Sequence, residues 1–242
     1  PSINDDEFCH VSSLYERVFN HKAFTGRSGT MFGYEGLGCI YWHMVAKLLL
    51  AVEENFFSAI DNGEDDKTCH RLGQLYYRVR QGLGFNKTPE EYGAFPADPY
   101  SHTPKHAGAQ QPGMTGQVKE EVLSRFGELG IRVQDGAVKF QTNLLRACEF
   151  VDSPAPFSYV DIDNNWQEIT LPKSSLGFTW CQVPIVYQLT QTNETLLTIT
   201  FDDGSEEVFT ELALSAQESS DLFLRNGRIR KITVALKKEQ LF

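Results

Sequence analysis

The sequence predicts an α+β protein in which N-terminal antiparallel α-helical hairpins, over residues 1–130, are followed by an antiparallel β-sandwich over residues 131–242. Apolar residues recur at helical spacing in the first half of the chain, whereas the apolar period changes to two after Gly130. Asp-Gly and Asn-Gly pairs separate the later apolar runs, and such pairs are typical of turns between antiparallel strands.

The first half of the chain predicts helices, of which the longest spans residues 35–60. Its apolar residues cover almost the whole circumference, and His43, Lys47 and Glu54 form one narrow polar stripe, so we expect it to pack between other helices. His43 and Lys47 also interrupt the apolar run, which argues against a membrane span. Three further helices are expected at 8–20, 67–82 and 115–129.

A long irregular segment, residues 85–113, separates the last two of these helices. It contains five prolines, which predict that no regular element forms there. The segment is nevertheless rich in aromatic residues, unlike a disordered linker. We therefore expect an ordered loop with a function.

The second half predicts short strands joined by tight turns. Pro184 confines its strand to a sheet edge or a bulge, because proline has no N–H to donate to a neighbouring strand. The strands are expected at 131–133, 138–140, 157–162, 166–171, 178–189, 197–201, 208–212, 223–225 and 229–236.

Charge and cysteine content exclude several classes of function. The net charge is −10, and acidic residues outnumber basic ones in both halves of the chain, so we expect no nucleic acid and no membrane partner. The cysteines are widely spaced without a Cys-x-x-Cys pair, which argues against a disulfide framework or a zinc knuckle. They favour a reducing, cytoplasmic location. No signal peptide is visible, and because the sequence opens at Pro1 without Met, we expect a longer parent chain.

A glycine-rich stretch, residues 27–38, precedes the longest predicted helix and brackets Tyr34 and Glu35. Backbone N–H groups and the positive end of a helix suit an anion or a sugar hydroxyl there, with Glu35 as a general base or a hydrogen-bond acceptor. The plainer interpretation is that acidic residues favour the first turn of any helix. The glycine spacing matches neither the Walker nor the dinucleotide-binding pattern.

A second polar cluster lies in the proline-rich segment. His102 and His106 have the spacing of two metal ligands on a helix, but Pro104 between them argues against that geometry. Imidazole and amide groups beside aromatic rings fit a sugar or phosphate site. They fit equally well the task of satisfying the polar backbone of a buried loop.

Two charged groups look structural. Glu120 and Glu121 are adjacent, and therefore about 100° apart on a helix, which predicts a solvated face. Arg228, Arg230 and Lys231 are expected on exposed strand faces.

The runs 31–55 and 92–121, followed by the all-β tail, resemble the C-terminal end of a six-hairpin (α/α toroid) glycoside hydrolase or phosphorylase. The nearest likeness is to the cellobiose-phosphorylase-type branch and to large bacterial proteins akin to it, over about residues 30–242. The resemblance implies a partial α/α toroid with a β-sandwich packed beneath it. It also implies inverting glycosyl transfer to phosphate or water.

The resemblance implies a site for an oligo- or polysaccharide, with no cofactor, no metal and inorganic phosphate as the candidate co-substrate. Glu35 would be the catalytic base of a hydrolase. The substrate-binding residues would be Arg27, Tyr34, Tyr100, His102, His106, Gln110 and Gln111.

The chain also departs from that family. It has too few helices for a full toroid and nothing that matches the family's catalytic aspartate, so we expect a C-terminal fragment that is inactive alone and needs the missing N-terminal part of the same polypeptide. Two alternatives stay open. One is a non-catalytic carbohydrate-binding or scaffold fragment, and the other is a metal-dependent enzyme using His102 and His106.

Overall fold

A computed structural model of the chain describes residues 4–19, 39–83, 102–104, 118–190, 192 and 194–242. The protein is α+β, as predicted, and divides into two compact units, Pro1–Ser124 and Arg125–Phe242. The division between the two units falls inside the helix Val118–Glu128. Among the described helices, none is both long and apolar enough to cross a membrane.

The first unit is mainly helical. Its described elements are helix α1 (Asp5–Phe19), strand β1 (Cys39–Tyr41), helix α2 (Trp42–Asp61), helix α3 (Asp66–Gly82), strand β2 (His102–Pro104) and most of helix α4 (Val118–Glu128). A helix therefore lies at each of the four predicted places, and the start of the longest one differs from its prediction.

Helices α2 and α3 form the predicted helical hairpin. The short connection between them contains Gly63 at φ 70, and Asp65 then caps α3 by accepting a hydrogen bond from the Thr68 N–H at 3.0 Å. Leu49 and Phe56 of α2 and Tyr76 of α3 are buried. The spacing of Leu49 and Phe56, two turns apart, sets the buried face of α2.

Two expectations for this unit are wrong. The predicted helix 35–60 begins only at Trp42, because Cys39–Tyr41 pairs as a strand with His102–Pro104, inside the segment expected to hold no regular element. A two-stranded ladder tolerates Pro104, since among the described residues the strand pairs on one side only. Met44 and Leu48 are 55% and 53% exposed, so none of the described helices covers α2 on that side.

The second unit is built around one mixed sheet of five strands, in the order β10-β9-β11-β8-β7. All neighbours are antiparallel except β8 and β11, which are parallel, so the sheet is not purely antiparallel as predicted. The sheet strands are β7 (Ser175–Trp180), β8 (Val183–Leu189), β9 (Leu196–Phe201), β10 (Glu206–Phe209) and β11 (Ile229–Leu236).

Two hairpins and one helix complete the second unit. The hairpins are β3 (Ile131–Gln134) with β4 (Ala137–Phe140), and β5 (Ala155–Val160) with β6 (Trp166–Leu171). Helix α5 (Ala216–Leu224) connects β10 to β11, and 3-10 turns lie at Ala147–Glu149 and Lys238–Gln240.

Local turn chemistry explains which strand predictions hold. Asp135 and Gly136 have φ values of 52° and 79°, and they form the predicted turn between β3 and β4. Gly204 likewise has a φ of 81° in the predicted turn between β9 and β10. Both Asp-Gly predictions are confirmed because glycine and aspartate tolerate the left-handed backbone that these turns need.

Two other strand predictions are wrong. Residues 178–189 form two strands, because Cys181 and Gln182 make a tight turn with φ values of 51° and 64°. Residues 223–225 end helix α5 and do not form a strand. Ser215 and Glu218 form a capping box at the start of that helix. The strand prediction relied on the later Asn-Gly pair and did not use this helix signal.

Pro184 lies inside the sheet, in contrast to its predicted edge position. It is the second residue of β8, and pairing with the parallel strand β11 begins only at Ile185. Its missing N–H therefore removes no hydrogen bond from that parallel ladder. Ile185, Tyr187, Ile199 and Ile232 are fully buried at the centre of the sheet core.

Candidate functional site

Most of the predicted site lies outside the described residues: Arg27, Tyr34, Glu35, Tyr100, His106, Gln110 and Gln111. Only the backbone of His102 is described, in strand β2, where it pairs with Tyr41 of β1. The structure thus fixes one extended backbone position in the predicted sugar loop. The other predicted site residues stay predictions.

A cavity that the sequence did not reveal lies in the second unit, and we call it the hairpin pocket. Its volume is about 230 Å³. It is lined by Tyr159, Asp161, Ile162, Gln167, Gln182, Val183, Pro184, Ile229 and Arg230.

The turn between β5 and β6 builds one wall of the hairpin pocket, and the Asp161 carboxylate organises that turn. Its Oδ1 atom accepts the backbone N–H groups of Asp163 and Asn165, both at 2.9 Å. Its Oδ2 atom accepts the side-chain amide of Gln167 at 2.8 Å. Aspartate suits this position because its short carboxylate reaches N–H groups a few residues ahead in the chain.

These hydrogen bonds keep the Asp161 carboxylate ionised in the pocket wall. The bond from the Asn165 N–H is the main cause that lowers the pKa of Asp161 below its usual value. The Gln167 amide, the Asp163 N–H and the charge of Arg230 lower the pKa further, against an opposing effect of burial. Asp161 is therefore a permanent hydrogen-bond acceptor at neutral pH.

Tyr159 and Gln167 lie directly opposite each other on β5 and β6, so their side chains share the pocket face of the hairpin. The Tyr159 ring stacks on Phe157 with ring centroids 5.6 Å apart. Burial, and secondarily the charge of Asp161, raise the pKa of the Tyr159 hydroxyl, which therefore keeps its proton as a donor. Trp166 is 77% exposed but pairs with Val160, which puts it on the other face of the hairpin.

Gln182 joins three parts of the second unit at the pocket. Its Nε2 atom donates to the backbone carbonyl of Asp161 at 3.0 Å and to Asn164 Oδ1 at 3.4 Å. Its Oε1 atom accepts from Arg225 Nη1 at 3.2 Å. Gln182 lies in the β7–β8 turn with a φ of 64°, and its amide joins this turn to the neighbouring β5–β6 turn.

Arg230, at the start of β11, also lines the pocket. Its Nη1 atom donates to Asp163 Oδ2 at 3.2 Å. In this ion pair the Arg230 side chain is 45% exposed and the Asp163 side chain is 61% exposed. An exposed pair of this kind contributes little to stability, at most about 1 kcal/mol. Arg230 is exposed, as its sequence pattern predicts, but it also lines a cavity.

The floor of the hairpin pocket is apolar. Val183, Pro184 and Ile229 are buried there, and Ile162 is half-buried above them. Gly227 is needed beside Ile162, because its φ is 85° and a Cβ atom at this position would lie 2.9 Å from Ile162 Cδ1. The pocket therefore combines an apolar base with polar groups at its mouth, which is the usual composition of a small-molecule site.

The helical unit holds acidic groups that the sequence placed wrongly. Glu120 is only 6% exposed, and its Oε2 atom has no hydrogen-bond partner among the described residues. Burial raises the pKa of Glu121, against an opposing effect of the Arg80 charge. The predicted solvated face of α4 is therefore wrong. Tyr76 of α3 donates to the Ser124 carbonyl at 3.3 Å beside it, so this face packs on α3.

Within the described part of the chain, no group of three or more His, Cys, Asp or Glu side chains is arranged to hold a metal ion. The comparison with known proteins adds no assignment: no model of a protein family matches the chain, and no curated protein matches it either. The hairpin pocket is the candidate site that the described residues define.

Proposed function

We propose that the chain binds a saccharide through the hairpin pocket and acts as the carbohydrate-binding part of a larger carbohydrate-active protein. The observation that carries this proposal is the composition of the pocket. Ionised Asp161, the amide of Gln167 and the guanidinium of Arg230 surround a base of apolar side chains. A sugar ring has the same division, with hydroxyls at its edge and C–H groups on its faces.

The size of the pocket supports a single sugar ring as the ligand. Its volume of about 230 Å³ is below the range of roughly 300–1,000 Å³ that is usual for drug-sized ligands. At roughly 0.3 kcal/mol per non-hydrogen atom, a hexose of about twelve such atoms gains roughly 4 kcal/mol, so we expect a dissociation constant of about 1 mM.

Titration of the protein with monosaccharides, followed by NMR shifts of its backbone amides, tests the proposal. We expect saturable shifts confined to the turns at 161–165 and 181–182 and to the start of β11, and a several-fold larger dissociation constant in Asp161→Asn. Asp203→Asn is the matched control. Asp203 also organises a turn, accepting the Ser205 N–H at 2.8 Å, but it does not line the pocket. Shifts that are absent, or that survive unchanged in Asp161→Asn, contradict the proposal.

The wider proposal concerns the parent protein. We propose an inverting glycoside phosphorylase or hydrolase in which a partial α/α toroid is followed by a β-sandwich. The resemblance of runs 31–55 and 92–121 supports it. Glu35 would act as the base of a hydrolase. The sugar or phosphate would be bound by Arg27, Tyr34, Tyr100, His102, His106, Gln110 and Gln111.

The wider proposal is tested in the full-length parent, assayed with and without inorganic phosphate. His102→Ala and Gln110→Ala are expected to lower phosphate-dependent turnover if the parent is a phosphorylase. Glu35→Gln is expected to abolish turnover if the parent is a hydrolase. Unchanged turnover in all three variants contradicts the assignment of these residues. Turnover that chelation abolishes and zinc restores would favour the metal-dependent alternative.

A cytoplasmic location is proposed on the state of the cysteines. Cys9, Cys69, Cys148 and Cys181 are free thiols in the structure. Free thiols persist in reducing compartments. Alkylation of protein from freshly lysed cells, read by mass spectrometry, is expected to label all four.

A further inference from the structure

Two side chains of opposite charge line the hairpin pocket, the Asp161 carboxylate and the Arg230 guanidinium. Arg230 is paired with Asp163, two residues after Asp161 in the same turn. The two are close enough for the Arg230 charge to act on Asp161. Their roles as hydrogen-bonding groups are complementary, because a carboxylate only accepts and a guanidinium only donates.

We propose that the hairpin pocket selects an uncharged sugar ring, whose hydroxyls bridge the Asp161 carboxylate and the Arg230 guanidinium, and that it rejects sugar acids and amino sugars. This inference rests on the proposed saccharide binding and adds the class of sugar. A hydroxyl group donates one hydrogen bond and accepts others, so neighbouring hydroxyls of one ring satisfy both side chains at once.

The Asp161 carboxylate has one hydrogen-bond acceptor position left for such a hydroxyl. Its two oxygens offer about four acceptor positions. Three are filled by the Asp163 N–H, the Asn165 N–H and the Gln167 amide. One position remains, on Oδ2. A ligand hydroxyl can take it without breaking the turn.

Arg230 has donors to spare. A guanidinium carries five N–H groups, and in the described part of the chain Arg230 uses one of them for Asp163. The pairing with Asp163 is exposed on both sides, so the guanidinium can shift towards a ligand at low cost. Tyr159 adds a further hydroxyl donor beside these two groups.

A charged sugar meets opposition at this site. The carboxylate of a sugar acid can accept from Arg230, but it then faces Asp161 in the pocket wall and Asp163 at the other end of the ion pair. An ammonium group can donate to Asp161 but faces Arg230. In both cases the ligand gives up the strong hydration of its charge and meets a like charge beside the opposite one, and these two costs offset the gain from the new ion pair.

A neutral ligand also leaves the rest of the pocket intact. Arg225 already holds Gln182 through its Oε1 atom, and Gln182 holds the backbone carbonyl of Asp161. No charge has to move in this chain of hydrogen bonds when a hydroxyl binds. The apolar base of Val183, Pro184 and Ile229 then faces the C–H groups of the ring.

The test compares matched sugars at low salt by amide NMR titration: methyl glucoside, methyl galactoside and methyl mannoside, their uronate counterparts, and glucosamine. We expect at least one neutral glycoside to bind about tenfold more tightly than the uronate of the same configuration and than glucosamine, where its configuration matches. Asp161→Asn is expected to reduce the difference in affinity between the neutral glycoside and the uronate. Arg230→Gln is expected to reduce the difference in affinity between the neutral glycoside and glucosamine.

The outcomes separate this inference from the proposed function. If a uronate or glucosamine binds as tightly as every neutral glycoside, or more tightly, the neutral-sugar inference is wrong, while saccharide binding stands. If no sugar of the panel shifts the pocket amides, both are wrong. Arg230→Gln changes an exposed side chain, so we expect the variant to fold. Its NMR spectrum checks this and excludes misfolding as the cause of altered binding.

Discussion

Gln182 holds Asp161 from a different turn of the chain: its side-chain Nε2 atom donates to the Asp161 backbone carbonyl at 3.0 Å. The two residues lie in the β7–β8 turn and directly after β5. Each uses its side chain to organise backbone, Gln182 across the pocket and Asp161 within its own turn. The shape of the hairpin pocket therefore depends on a contact between two hairpins.

Gln182→Ala is expected to remove this link. The Asp161 carbonyl and the Arg225 guanidinium each lose a hydrogen bond, and we expect a loss of about 1 kcal/mol in the free energy of unfolding, together with weaker sugar binding. Chemical denaturation and amide NMR titration measure the two effects.

Gln188→Ala provides the control for that variant. Gln188 also donates its amide to backbone carbonyls, those of Lys173 and Ser174, but at a turn away from the hairpin pocket. We expect a similar loss of stability with sugar binding unchanged. Equal weakening of sugar binding in both variants would count against a specific role of Gln182.

The stability of the protein is expected to depend on pH through Asp161. Its pKa is lowered in the folded state, so its contribution is present above the unfolded pKa of about 3.9 and is lost as the pH falls through the folded pKa. Asp161→Asn removes this contribution. We expect the unsubstituted protein to melt at a higher temperature than Asp161→Asn at pH 6. The difference between the two melting temperatures is expected to shrink as the pH falls below about 4.

Asp65 and Asp203 also have lowered pKa values, but they are present in both proteins, so the difference between the two melting curves isolates Asp161. A gap that stays constant from pH 6 to pH 2.5 would show that the charge of Asp161 contributes nothing.

Glu121 is expected to show the opposite behaviour. Burial raises its pKa, so its charged form weakens the folded state at neutral pH, and stability is gained as the pH falls through the raised folded pKa. Glu121→Gln is therefore expected to raise the melting temperature at pH 7 and to change it less at pH 4. Glu54→Gln, on the exposed side of α2, is the control and is expected to be neutral at both pH values. A lower melting temperature for Glu121→Gln at pH 7 would mean that its attraction to Arg80 outweighs burial.

Gly130 and Gly136 form a matched pair for a test of backbone crowding. Both have a positive φ, 82° and 79°. A Cβ atom at Gly130 would lie 2.8 Å from the backbone of Gln141, whereas one at Gly136 meets nothing within 4 Å. Gly136→Ala is expected to cost about 1–2 kcal/mol through backbone strain alone.

Gly130→Ala is expected to cost more than Gly136→Ala, because the clash with fixed backbone adds to the same strain. Urea denaturation of the two variants checks the order. Equal losses would mean that the Gln141 backbone moves aside without cost.

Local patterns in the sequence determined much of the fold. Helical spacing located α1 to α4, and the Asp-Gly pairs at Asp135 and Asp203 located two hairpins, because these signals depend on residues that are neighbours in the chain. The same kind of signal was misread at Asn226. There the capping box at Ser215 starts a helix, and the Asn-Gly pair follows the end of that helix.

The hairpin pocket is formed only by the tertiary structure and could not be predicted from local sequence patterns. Asp161, Gln182 and Arg230 are far apart in the sequence, and each looks ordinary in its own segment: an acidic turn, a glutamine next to a cysteine and a basic strand end. They meet because β11 pairs in parallel with β8 and because the β7–β8 turn reaches the β5–β6 turn. Parallel pairing of distant strands leaves no mark on local periodicity, since each strand still alternates between two faces. The sequence thus determined the elements, and the long-range pairing of strands decided which side chains share a cavity.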